Sequence, residues 1–158
     1  MKKLIGILLF SIISATTFAQ TQVKHLEIAT PEAKVVGIVK FGYDLIAQLT
    51  YTVDGNDTLN TLFYIDQNYK QLAKYQSITF AGGEQARENL NKSLKAGFLP
   101  ENLPQKNVVT FATELTVGDT DVMLSNFRSL KNVQVVLSTK DGHLFSLTEP
   151  QLDKLFGR

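Results

Sequence analysis

The chain has 158 residues, 44% of them hydrophobic, with 16 basic and 15 acidic side chains and no cysteine or tryptophan. So even a balance gives no electrostatic case for nucleic acid or anionic membrane surfaces as partners. The lack of cysteine removes thiol catalysis, thiolate metal sites and disulfides together.

The first nineteen residues read as an export signal. Lys2 and Lys3 precede an apolar run from Leu4 to Ile13, and Ser14 to Ala19 ends in small Thr17 and Ala19 flanking Phe18. The basic start holds its end on the cytoplasmic side, the run is too short to span a bilayer, and the small residues suit a signal peptidase pocket. Cleavage is expected between Ala19 and Gln20, leaving residues 20–158 as one domain, exported to the periplasm or beyond, with no membrane span. Without disulfides, its stability must come from the core itself.

In chain order, Val23 to Ile28 alternates enough for a short edge strand before Pro31 breaks it. Lys34 to Phe41 is rich in β-branched residues, and Gly42 marks a turn. Beyond it Tyr43, Leu45, Ala47, Leu49, Tyr51 and Val53 share one face, with Asp44, Gln48, Thr50 and Thr52 on the other. That period of two predicts a half-buried antiparallel strand. The turn composition Asp54-Gly55-Asn56-Asp57 returns the chain through a strand from Thr58 to Asp66, and another strand is expected near Ser77 to Phe80.

The period then changes. From Glu84 to Ala96, Ala86, Leu90 and Leu94 recur every four residues, Glu88 can pair with Lys92, and Gly97 and Pro100 supply a stop, which predicts an amphipathic helix. Alternation resumes from Val109 to Val117, and Asp121–Phe127, Val133–Ser138 and His143–Leu147 suggest a meander. The consecutive Val135, Val136 and Leu137 mark a central strand covered on both faces. Last comes a short helix, with Thr148 as cap, Gln151 completing a capping box, Pro150 in the first turn and Gly157 past the end. The expected fold class is α+β: a mainly antiparallel sheet of about seven to eight strands, one helix mid-chain and a short one at the C-terminus. The sequence has no internal repeat.

Motifs that carry chemistry are sparse. Two histidines, His25 and His143, lack metal-site spacing, and no partner in sequence orients either ring. Asp54, Asn56 and Asp57, like Asp119 and Asp121, fit turns better than a calcium loop, which needs further ligands ending in Glu. Gly82-Gly83 precedes a helix without the Lys and Ser or Thr of a phosphate loop. No Gly-x-Ser-x-Gly elbow is present, so no catalytic residue, metal ligand or cofactor is assigned. Asp44, Asp66 and Glu114 could serve as an acid–base set only if the fold gathered them. The aromatic set Tyr64, Tyr69, Tyr75 and Phe80 is the densest in the chain and is the expected binding surface for an unknown protein or small ligand.

The opening Met-Lys-Lys-Leu-Ile-Gly-Ile-Leu-Leu-Phe with its Thr-Phe-Ala-Gln, the close Leu147 to Gly157, and a looser echo in Tyr75 to Phe80 together resemble small exported proteins of Bacteroidetes-type bacteria. The resemblance implies compartment and fold, and carries over no active residue. The leading expectation is a non-catalytic binding or envelope-interaction module. The alternatives are a small exported hydrolase using carboxylates or His143, and a structural envelope component. A cleft that brings His143 to a carboxylate would favour the hydrolase; a flat aromatic patch would favour binding.

Overall fold

The computed structural model describes residues 33–104, 109–129 and 132–158, so the export segment and the expected strand Val23–Ile28 lie outside the described residues. Among the described residues, eight strands form two four-stranded antiparallel sheets, each a meander of sequential neighbours. The first holds β1 (Lys34–Phe41), β2 (Asp44–Asp54), β3 (Asp57–Ile65) and β4 (Tyr75–Ala81), and is followed by α1 (Glu84–Lys95). The second holds β5 (Ala112–Val117), β6 (Thr120–Ser129), β7 (Asn132–Thr139) and β8 (Leu144–Thr148), and is followed by α2 (Glu149–Leu155). The fold is α+β, and the same order of four strands and a helix occurs twice.

The turns follow from local chemistry. Asp54 pairs with Asp57 across a two-residue hairpin whose Gly55 has a φ of 59°, a conformation that costs a side-chain-bearing residue energy. In α2, the Gln151 side chain accepts hydrogen bonds from the Thr148 amide at 2.9 Å and hydroxyl at 3.0 Å, fixing the helix start. The expected Glu88–Lys92 pair gives way to a tertiary one: Glu88 pairs with Arg158, which follows α2, while Lys95 pairs with Asp153 of α2 at 2.5 Å. Glu88 thus pairs across two helices instead of along its own, with both side chains still well exposed.

One continuous cluster of buried apolar side chains draws on both sheets and both helices. Leu49, Leu62, Tyr64 and Ile78 enter it from the first sheet, Leu124, Leu137 and Phe145 from the second, and Leu90, Leu94, Leu152 and Leu155 from the helices. The Tyr64 and Phe145 rings meet with centroids 4.9 Å apart. Helix α2 packs on β1 and also touches β2, β7, β8 and α1. That approach needs glycine: a Cβ on Gly37 would sit 2.2 Å from the Lys154 carbonyl oxygen.

β7 is central, and Val135, Val136 and Leu137 are all buried, as their consecutive run implied. β2 departs from its expected half-exposure. Its polar face is closed too, with Gln48 and Thr50 both buried, because β2 is an inner strand and Gln48 is flanked across the ladders by Ile38 and Phe63. β5 is shorter than its pattern suggested. Thr110, just before it, donates from its hydroxyl to the Asn102 carbonyl at 2.5 Å, which ties this stretch to the preceding loop.

Candidate functional site: an aromatic end latched between the sheets

At one end of the first sheet lie the β1–β2 turn and the β3–β4 connection. The connection begins at Asp66, runs through a 3₁₀ turn over Gln67–Leu72 and ends with Ala73 in the left-handed region at φ 48°. Its neck is closed by the Asp66 amide donating to the Lys74 carbonyl at 2.8 Å. A short loop with bonded ends projects its side chains outward: Leu72 is 74% and Tyr69 44% exposed, while beside them Phe41 is 70% and Tyr43 91% exposed. Lys70 places its Nζ 5.5 Å from the Phe41 ring centroid, joining the two connections, and the Lys74 Nζ lies 4.6 Å from the Tyr69 ring.

The loop is latched to the second sheet through consecutive side chains. Asp66 is fully buried; its Oδ1 accepts from the Asn68 amide at 3.1 Å and the Leu144 amide at 3.3 Å, and its Oδ2 lies 2.7 Å from His143 Nδ1. Gln67 donates to the Ser146 carbonyl at 3.2 Å and accepts from the Ser146 hydroxyl at 2.8 Å. Asn68 donates to the Gly142 carbonyl at 2.7 Å. These side chains do for the outer edge of β8 what a neighbouring strand would do, satisfying backbone groups an edge leaves open.

Burial pushes the Asp66 carboxyl up, but the hydrogen bonds from His143, Leu144 and Asn68 and the His143 charge outweigh it, holding the group below its usual range. An ionised carboxylate only accepts, so His143 Nδ1 carries the proton. Burial, with the Asp66 charge second, pushes the Tyr64 phenol up to about 12, so it stays neutral. Burial and then Asp44 raise Tyr75 in the same sense.

Of the sequence-derived aromatic set, Tyr64 and Phe80 lie in the core, Tyr75 is half-buried and stacked on Phe63 at 5.0 Å, and Tyr69 is exposed. The four share no single surface. The exposed aromatic end instead combines Tyr69 with Phe41, Tyr43 and Leu72. Pattern reading placed Tyr43 on the apolar face of β2, although its position right after Gly42 was the available sign of a turn. Asp44, Asp66 and Glu114 are not gathered: Asp66 meets His143, and Glu114 lies on β5 of the other sheet.

Among the described residues, depressions elsewhere are lined by other side chains. A 260 Å³ hollow on β5–β7 contains Asp121 and Lys140, 2.5 Å apart, with the Thr116 hydroxyl donating to Asp121 at 2.9 Å. Another of 240 Å³ lies between α1 and the β4 and β5 ends, and a third, of 330 Å³, is bounded by Phe98, Leu103, Val133 and Pro150. Among the described residues no group of three or more metal-type ligands occurs, and no helix is long and apolar enough to cross a membrane. No family model, curated protein or solved structure matches the chain.

Proposed function

We propose that the chain is an exported, non-catalytic binding module of the cell envelope, and that it engages its partner through the end formed by Phe41, Tyr43, Tyr69 and Leu72. One observation carries this reading: four large apolar side chains stand exposed on two connections at one end of the first sheet, the two joined by Lys70 over the Phe41 ring and one of them pinned to the opposite sheet. Exposed apolar residues scattered singly are ordinary, whereas a cluster marks a contact surface. The latch keeps the loop ordered before binding, which lowers the entropy lost on association.

The test is co-sedimentation with isolated cell envelopes. The wild-type chain is expected to sediment with them, and a Phe41→Ser/Tyr43→Ser/Leu72→Ser variant with unchanged thermal melting is expected to remain in the supernatant. Equal sedimentation of the two refutes this placement of the surface.

The hydrolase reading has the Asp66–His143 pair in its favour, since a buried carboxylate holding Nδ1–H is how a general base is oriented in catalytic triads. Among the described residues no hydroxyl is hydrogen-bonded to the His143 ring; Thr139 Oγ1 accepts from the His143 backbone amide instead, at 3.1 Å. The pair reads more simply as a structural latch. Identical p-nitrophenyl acetate hydrolysis by the wild type and His143→Gln removes the enzymatic reading, whereas a large loss in the variant restores it.

A further inference from the structure

We infer that the partner of the aromatic end is a lipid surface bearing anionic headgroups; this rests on the binding reading above and names its partner class. The argument starts from how the side chains stand. Tyr43 and Leu72 are 91% and 74% exposed at the tips of two connections, so they protrude and form no walls of a groove. Protein-binding hot spots sit in packed pockets rimmed by other contacts. Protruding rings and an aliphatic tip suit insertion into a soft, deformable apolar layer instead.

Composition agrees with this geometry. Tyrosine has an apolar body and a polar tip, which places it at the headgroup level of a bilayer. Lys70 and Lys74 lie against the Phe41 and Tyr69 rings, at 5.5 Å and 4.6 Å. Their stems can follow apolar surface while the ammonium groups reach phosphate. The near-neutral total charge hides this local concentration, since a surface potential acts within about a Debye length, roughly 8–10 Å, of the contacting groups. The acidic groups at this end are Asp44 on the Tyr75 side, Asp66, which is buried and held by His143, and Asp141, beside the Gly142 that Asn68 binds.

The absence of tryptophan supplies a clean reporter. Tyr43→Trp places one indole on the proposed surface. Val53→Trp places one near the far end of β2, nine strand positions from Asp44 and so roughly 30 Å away. With vesicles of phosphatidylcholine and phosphatidylglycerol, the emission at position 43 is expected to shift to the blue while that at position 53 stays unchanged. Each lysine near such a surface is worth about fivefold in partitioning. A Lys70→Gln/Lys74→Gln change in the Tyr43→Trp background is therefore expected to weaken vesicle binding roughly 25-fold.

Three results overturn the inference: no shift at position 43, equal shifts at both positions, or equal binding to vesicles of phosphatidylcholine alone. If the chain sediments with envelopes through this end but ignores lipid vesicles, the binding reading stands and a protein replaces the lipid. If the envelope test itself fails, the binding reading falls first.

Discussion

Asp66 is the residue on which the arrangement of the aromatic end turns. A fully buried carboxylate is costly unless its oxygens are satisfied, and here His143 and two backbone amides satisfy them. Asp66→Asn keeps the shape and loses the charge, and is expected to destabilise by about 1.5–3 kcal/mol near neutral pH. The pH dependence has a definite sign. The folded carboxyl titrates below the ordinary value of about 3.9. Between the two values the unfolded chain binds a proton that the native state does not. The stabilisation is complete above about pH 5, a unit above the unfolded value, and disappears as pH falls through the folded-state value. Urea unfolding at a series of pH values should show the wild-type advantage over Asp66→Asn shrinking from pH 5 downward; a constant gap contradicts the assignment. None of this was legible in sequence. Asp66 reads as the polar end of a strand, and its partner lies 77 residues away.

At the scale of elements, much more was legible. Side-chain period identifies a strand or helix almost by itself, as it did for β2, β5 and α1, while β6 and β8 were read from the short spacing of a meander and the consecutive apolar run marked β7 as central. The capping chemistry at Thr148 and Gln151 likewise fixed the start of α2. The misreadings have two causes: an inner strand can bury its polar face too, as at Gln48, and a turn residue such as Tyr43 can continue an alternation by chance. The close approach of α2 to Gly37 left only a glycine as its sign. Gly37→Ala would push a Cβ against two carbonyl oxygens, of Lys154 and Leu155, neither of which can rotate away. A loss of about 2–4 kcal/mol is expected, measured as a lowered urea midpoint. An unchanged midpoint contradicts the docking of α2 on β1.

For the whole molecule, α+β class, antiparallel pairing and strand number could be read, but not the division into two sheets or the duplicated order of four strands and a helix. Alternation reports which residues face a core and not which strands share a sheet, and the two halves hold different residues at matching elements. β2 contributes to the cluster joining the sheets: Leu49 is fully buried and belongs to it. Leu49→Asp, which introduces an unpaired charge there, is expected to cost about 4–5 kcal/mol and to unfold both sheets in one transition. Separate transitions for the halves would contradict a shared core.

The most direct measurement is photo-crosslinking in living cells, with a benzophenone side chain placed at position 43 and, as control, at position 57 in the hairpin at the opposite end of β2. If the exposed aromatic end is the surface through which this protein works, position 43 forms adducts and position 57 does not. Adducts at position 57 alone, or at both in equal yield, would contradict it.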